Sequence, residues 1–278
     1  MKRRLFKLLL FALSCAAALL ALEYAVRRLF PAFDPSGHLR LLPATPDRPA
    51  LGPPDTTLRH VKNTGDFDVT VRFNRYGFRD RRDLKDSRPD DWVVVGDSFG
   101  FGWGVEEAER FSDQLEQRLG VRVFNIAMPA GSLSEYRRLL DHARALGLNT
   151  RKVIVGVCME NDLVIHEAQP EAPESLRALL KRKSAAYFLF THIVHTHPAL
   201  RDLFVRLGLV MPSVEGMPRN EYSEELVQSA ASALEKTVEG YEPVILIIPS
   251  RALWVGGWES AEAKTHDAFV AALRAKGM

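Results

Sequence analysis

Trp92-Val-Val-Val-Gly-Asp-Ser98-Phe-Gly100 is the stretch that decides how this chain folds. A β-branched run with no polar alternation suits a strand covered on both faces, as in a parallel sheet between helices. Gly96-Asp97-Ser98 ends the run and puts a hydroxyl at the strand terminus. The same grammar continues downstream. Helix is expected over Glu106 to Leu119, closed by Gly120, then strand over Val121 to Ile126. Helix follows over Leu133 to Leu146, and a third strand over Lys152 to Cys158. A helix over Glu221 to Glu239, a strand over Pro243 to Ile248 and a helix over Ser260 to Ala275 complete the pattern. Alternating strands and helices predict an α/β fold: a three-layer α/β/α sandwich with a mostly parallel, flavodoxin-like sheet.

Upstream, Asp66-Phe-Asp-Val-Thr-Val-Arg-Phe73 alternates with period two and predicts a further strand. Asn74-Arg-Tyr-Gly77 is a turn signal. Residues 31–62 are rich in proline and read as an extended linker. Ahead of them, Lys2, Arg3, Arg4 and Lys7 precede an apolar run from Leu8 to Leu22. This is either a signal peptide or a signal anchor. No small-x-small cleavage site follows the run, and Ala12-Leu-Ser14 before Cys15 matches a lipoprotein signal poorly, so an uncleaved anchor is favoured. The expected organisation is an anchor helix over 1–30, the linker, and one α/β domain over 63–278. A helical insert at about 163–220 interrupts that domain as a lid or cap.

Composition excludes some classes. Hydrophobic residues make up 46% of the 278 and charged residues 26%, so there is enough apolar mass for a core. The net charge of +2 argues against nucleic acid as a partner. Cys15 and Cys158 support neither a disulfide framework nor a zinc site, and no cofactor or metal is expected. His192, His195 and His197 read as surface histidines of the insert, and His266 as an exposed helical one. His166 and the tryptophans at 254 and 258 read as structural or rim residues. The Gly-rich stretch after Gly96 is not a phosphate loop, because no Gly-Lys-Ser/Thr follows.

Ligands of open α/β sheets bind beyond the carboxyl ends of the strands. There the sequence sets Ser98 after the first core strand, Asn125-Ile-Ala-Met-Pro-Ala130-Gly131 after the second, and Asn161-Asp162 after the third. A hydroxyl, a loop with free amides and a carboxamide form the parts list of a nucleophile with oxyanion donors. Asp97 is expected to point away from Ser98 in a structural role. Gly96-x-Ser98-x-Gly100 also matches the α/β-hydrolase nucleophile elbow, but that fold places several strands before its serine.

In these blocks the chain resembles the SGNH (GDSL-type) hydrolases. Asn74-Arg-Tyr-Gly-Phe-Arg-Asp80 and the N-terminal anchor resemble that family's bacterial membrane-anchored branch. The resemblance spans roughly residues 66–278. It implies Ser98 as the nucleophile, with an oxyanion hole from the Ser98 amide, the Ala130 amide and the Asn161 side chain. Ala130 and Met159 stand where the family has glycine. The family's base is a histidine preceded three residues earlier by aspartate, after a last strand. His266 has Ala263 in that place, so no catalytic His or Asp is identified, and the C-terminal strand with its pair is expected beyond Met278. Without a base the serine is a weak nucleophile; in a comparable hydrolase its loss costs about 10⁶ in turnover. The resemblance implies an esterase of the bacterial inner membrane, single-pass, with its domain outside the cytoplasm. It would act on small-molecule, glycan or lipid esters. An O-acetyltransferase acting on cell-surface polysaccharide and a non-catalytic ligand-binding protein remain open, as does the oligomeric state.

Overall fold

The computed structural model describes residues 2–129, 131–163, 175–210, 222–251, 253 and 261–278. The chain divides into two compact units, one of residues 1–38, 59–68 and 170–211, the other of 39–58, 69–169 and 212–278. The second unit holds a four-stranded, all-parallel sheet flanked by helices, a three-layer α/β/α sandwich. Its strands are β3 (Trp92–Gly96), β4 (Val123–Asn125), β5 (Lys152–Cys158) and β6 (Glu242–Ile248), in the order β4-β3-β5-β6. A separate two-stranded sheet pairs β1 (Thr57–Val61) with β2 (Asp68–Arg72).

The valines explain the centre. Val93, Val94 and Val95 are fully buried, and β3 pairs with β5 from Trp92↔Lys152 to Gly96↔Gly156. Branched side chains pack well on such a pleated surface. Helices α4 (Leu133–Ala145), α8 (Glu224–Thr237) and α9 (Ala261–Ala275) pack together: Thr237 Oγ1 donates to the Leu133 carbonyl (2.9 Å), and Lys276 pairs with Glu235 (2.6 Å). On α9, Glu262, Phe269 and Leu273 share the buried face. His266 falls on that face at helical spacing and is half-buried, not exposed as expected.

Two other expectations change. Helix was expected from Glu106, but residues 107–109 form a 3₁₀ turn and α3 runs from Phe111 to Leu119. Arg110 between them is extended (φ −63°, ψ 146°), which sends its guanidinium to the carbonyl of Arg79. The proline-rich stretch also differs from an extended linker from Leu39 onward. Leu51 is 2% exposed, and Leu39, Leu41 and Leu58 pack on the core. Proline content reports missing N–H donors, not whether the leucines between prolines are buried.

In the first unit, α1 runs from Lys2 to Leu29 and is long and apolar enough to cross a membrane. The same unit contains three helices of the insert, α5 (Leu176–Lys183), α6 (Ala185–Thr196) and α7 (Pro198–Arg206). Glu23 of α1 caps α6, accepting from Ser184 Oγ (2.7 Å) and from the amides of Ala185 (2.8 Å) and Ala186 (3.1 Å). His192 Nδ1 lies 3.0 Å from the Asn63 carbonyl, and its ring 4.9 Å from that of Phe33, so it packs within the unit.

Candidate active site

Ser98 opens the four-residue helix α2 (Ser98–Phe101), directly beyond the carboxyl end of β3. Asp97 is its N-cap, with Oδ1 accepting from the Phe99 amide at 2.9 Å. Gly102, at φ +81°, ends the helix in a left-handed turn that a side chain would strain. Gly100 permits close approach: a Cβ there would stand 2.8 Å from the Cβ of Ala127, in the loop after β4.

The corner is held from behind by residues whose roles were not read from the sequence. Asn74 Oδ1 accepts from the amides of Tyr76 and Phe78, and Gly77 turns at φ +82°, aiming Arg79 and Asp80 inward. Arg79 is fully buried and donates to the carbonyls of Phe101 (3.2 Å), Gly102 (2.6 Å) and Val105 (2.8 Å). Burial, then the charge of Arg110, pulls its pKa down to about 10. Asp80 accepts from the Asn125 amide (2.7 Å). The Asn125 carboxamide donates to the Gly100 carbonyl (2.8 Å) and accepts from the Ala127 amide (3.1 Å). Asn125 therefore ties α2 to the β4 loop. The sequence signal for Arg79 and Asp80 was Asn74–Asp80 itself, quoted above without roles.

Ser98 and Asn161 lie beside one carboxylate. Ser98 Oγ lies 3.5 Å from Asp97 Oδ2, and the Asn161 side chain stands near enough to that carboxylate to lower its pKa. Asp97 thus faces the serine instead of pointing away, because capping α2 turns its carboxylate back over the first turn. Burial raises the pKa of Asp97. Beneath it, Asp162 is buried and accepts from Tyr136 Oη and the Cys158 amide, each at 2.7 Å. Burial, then the charge of Asp97, pushes Asp162 up to about 7. Ala130 lies outside the described residues, as do His166 and the tryptophans at 254 and 258. The Met159 amide donates to the Ile248 carbonyl (2.9 Å), continuing the β5–β6 ladder.

Ser98 is half-buried and opens on a groove of about 490 Å³ lined by Phe99, Trp103, Val105, Leu246 and Ile248. Among the described residues, no group of three His, Cys, Asp or Glu side chains is placed to hold a metal ion. The arrangement offers a hydroxyl at a helix start, a carboxylate beside it, a carboxamide nearby, and a largely apolar groove that Glu109 and Arg110 also line. The chain matches no family model and no curated protein.

Proposed function

We propose that this protein is a serine ester hydrolase of the SGNH type, held at a bacterial inner membrane by α1 with its α/β unit outside the cytoplasm. One observation carries the reading: Ser98 stands at the carboxyl end of β3, half-exposed on a largely apolar groove, 3.5 Å from the Asp97 carboxylate that the Asn161 side chain also influences. In this reaction Ser98 Oγ bonds to the ester carbonyl carbon, and the alcohol leaves with a proton. Water then releases the acid from the serine. The Ser98 amide at the start of α2 and the Asn161 carboxamide supply oxyanion donors, and the Ala130 amide completes the proposed set. Phe99, Trp103 and Leu246 suit an acyl group of a glycan or lipid ester better than a charged one.

The test is labelling by a fluorophosphonate probe, read by mass spectrometry, alongside hydrolysis of p-nitrophenyl acetate. Label on Ser98 in the wild type and its loss in Ser98→Ala is the expected result, with ester turnover slow because no His or Asp base is assigned to Ser98. Equal labelling of the variant removes Ser98 as nucleophile. A second reading, a non-catalytic binding site, draws on the 3.5 Å Ser98–Asp97 contact, at the outer limit of a hydrogen bond. Absence of label from a folded wild type favours it.

A further inference from the structure

We propose that the groove between α5, α6 and α7 docks an anionic phospholipid of the bilayer that α1 enters, with an acyl chain in the groove and its phosphate on Arg177 and Lys181. This rests on α1 being retained as an anchor and does not depend on chemistry at Ser98.

Surface hydrophobicity is unevenly spread. Among the described residues, eight large apolar side chains between Leu176 and Leu209 are exposed, Leu176 at 70% and Phe190 at 49% among them. The described residues of the second unit include five. Solvated protein surfaces carry such residues singly, and clustered ones mark a partner. Here they border a groove of about 410 Å³ lined by Leu180, Tyr187, Phe190, Val194, Phe204 and Leu209, a volume typical of small-ligand sites.

Charge selects the partner. From Ser175 to Val210 there are six Lys and Arg against one acid, Asp202. Arg177 lies on the groove wall. His195, also on the wall, has its pKa lowered by burial first, then by Arg201, Lys181 and Arg177. Lys181 is pulled down by burial, then by Arg177 and Lys62. Arg177 and His195 line this apolar slot, Lys181 stands one helical turn from Arg177 on α5, and a phosphate with an acyl tail satisfies both features. Each Lys or Arg at an anionic membrane surface contributes about 1 kcal/mol.

Position selects the source. The apolar run of α1 ends at Leu22, and the next residue, Glu23, caps α6. Arg27 Nη2 donates to the Lys183 carbonyl at 2.6 Å, fastening the end of α5 to the same level. The α5–α6 junction therefore sits where α1 leaves hydrocarbon. Phe190 is six residues further on, about 9 Å along α6. A phospholipid needs only to shift outward by about its headgroup depth to enter the groove.

The experiment uses the full chain with Cys15→Ser, which leaves the buried Cys158 as the native thiol. A spin label is placed at Phe190→Cys or, as control, at Leu119→Cys on the exposed end of α3. One copy per nanodisc is reconstituted in phosphatidylcholine, with or without phosphatidylglycerol. The ratio of collisions with oxygen to collisions with a nickel chelate is expected to rise several-fold at residue 190 on adding phosphatidylglycerol. It should stay unchanged at residue 119. Arg177→Glu with Lys181→Glu is expected to abolish the rise. Ratios at 190 that equal those at 119 in both lipids overturn the proposal. A rise that survives the double variant, or one that appears only with two copies per disc, also overturns it. Failure to enter discs at all is separately visible and counts against the anchor.

Discussion

β3 and β6 lie in the same parallel sheet and carry equally apolar cores, yet they end in different circumstances. Val93 to Val95 of β3 are fully buried, whereas Val244 and Leu246 of β6 are 48% and 39% exposed. β3 has a neighbour on each side; β6 has β5 on one side and, among the described residues, none on the other. At the β3 end, Arg79, Asp80, Asn125 and Asp97 hold α2 through buried hydrogen bonds. At the β6 end, Leu246 and Ile248 form an apolar wall open to solvent on the same groove. One side of the candidate site is thus pre-organised and the other accessible. On the proposed reading this division suits the two parts: a nucleophile needs its position fixed before substrate arrives, whereas an acyl slot needs an entrance.

The largest test of this contrast is Arg79→Met. It removes the donor from the carbonyls of Phe101, Gly102 and Val105. A buried acceptor left unpaired costs about 1–3 kcal/mol, so the loss is on the order of 3 kcal/mol or more. A melting temperature lower by about 10 °C is expected, at about 2–4 °C per kcal/mol for a domain of this size. A shift under about 2 °C would mean the corner does not depend on this clamp.

Asp162→Asn comes next. The folded pKa of Asp162, about 7, lies above its ordinary 3.8, so the folded state holds the proton more tightly. The stability this contributes is complete below about pH 4 and is lost as pH rises through about 7. Chemical denaturation at a series of pH values is expected to show wild-type stability falling across that window by a few kcal/mol. The Asn variant, a neutral mimic that Tyr136 can still reach, should be flatter there. An unchanged slope would remove Asp162 as the source. The smallest effect belongs to the open side. Leu246→Thr, at a side chain 39% exposed, is expected to change stability by less than about 0.5 kcal/mol while slowing aggregation through an exposed apolar patch. A loss comparable to that of Arg79→Met would erase the contrast.

The sheet was legible because its signals are local. The strand expected over Lys152 to Cys158 coincides with β5, and the helix over Leu133 to Leu146 runs one residue past α4. The start of α3 was misread because Arg110 serves a non-local partner, the carbonyl of Arg79, that no periodicity reveals. At the candidate site, the positions of Ser98 and Asn161 beyond strand ends could be read from strand order. Their common proximity to Asp97 could not, since Asp97 and Asn161 are 64 positions apart. Nor could the pairing of Tyr136 with Asp162, whose raised pKa needs burial that a sequence does not display.

By itself, then, the sequence determined the alternation of strands and helices, the apolar α1, and a serine directly after a buried strand. Periodicity and β-branching act over neighbouring residues and leave their mark in composition. Tertiary structure alone decided that β3 is central and that β6 is, among the described residues, paired on one side only, and that Arg79 and Asn125 lock the turn holding Ser98. It also decided that the insert helices pack with α1. Each of these depends on which distant groups meet, and burial, hydrogen-bond satisfaction and field arise only there.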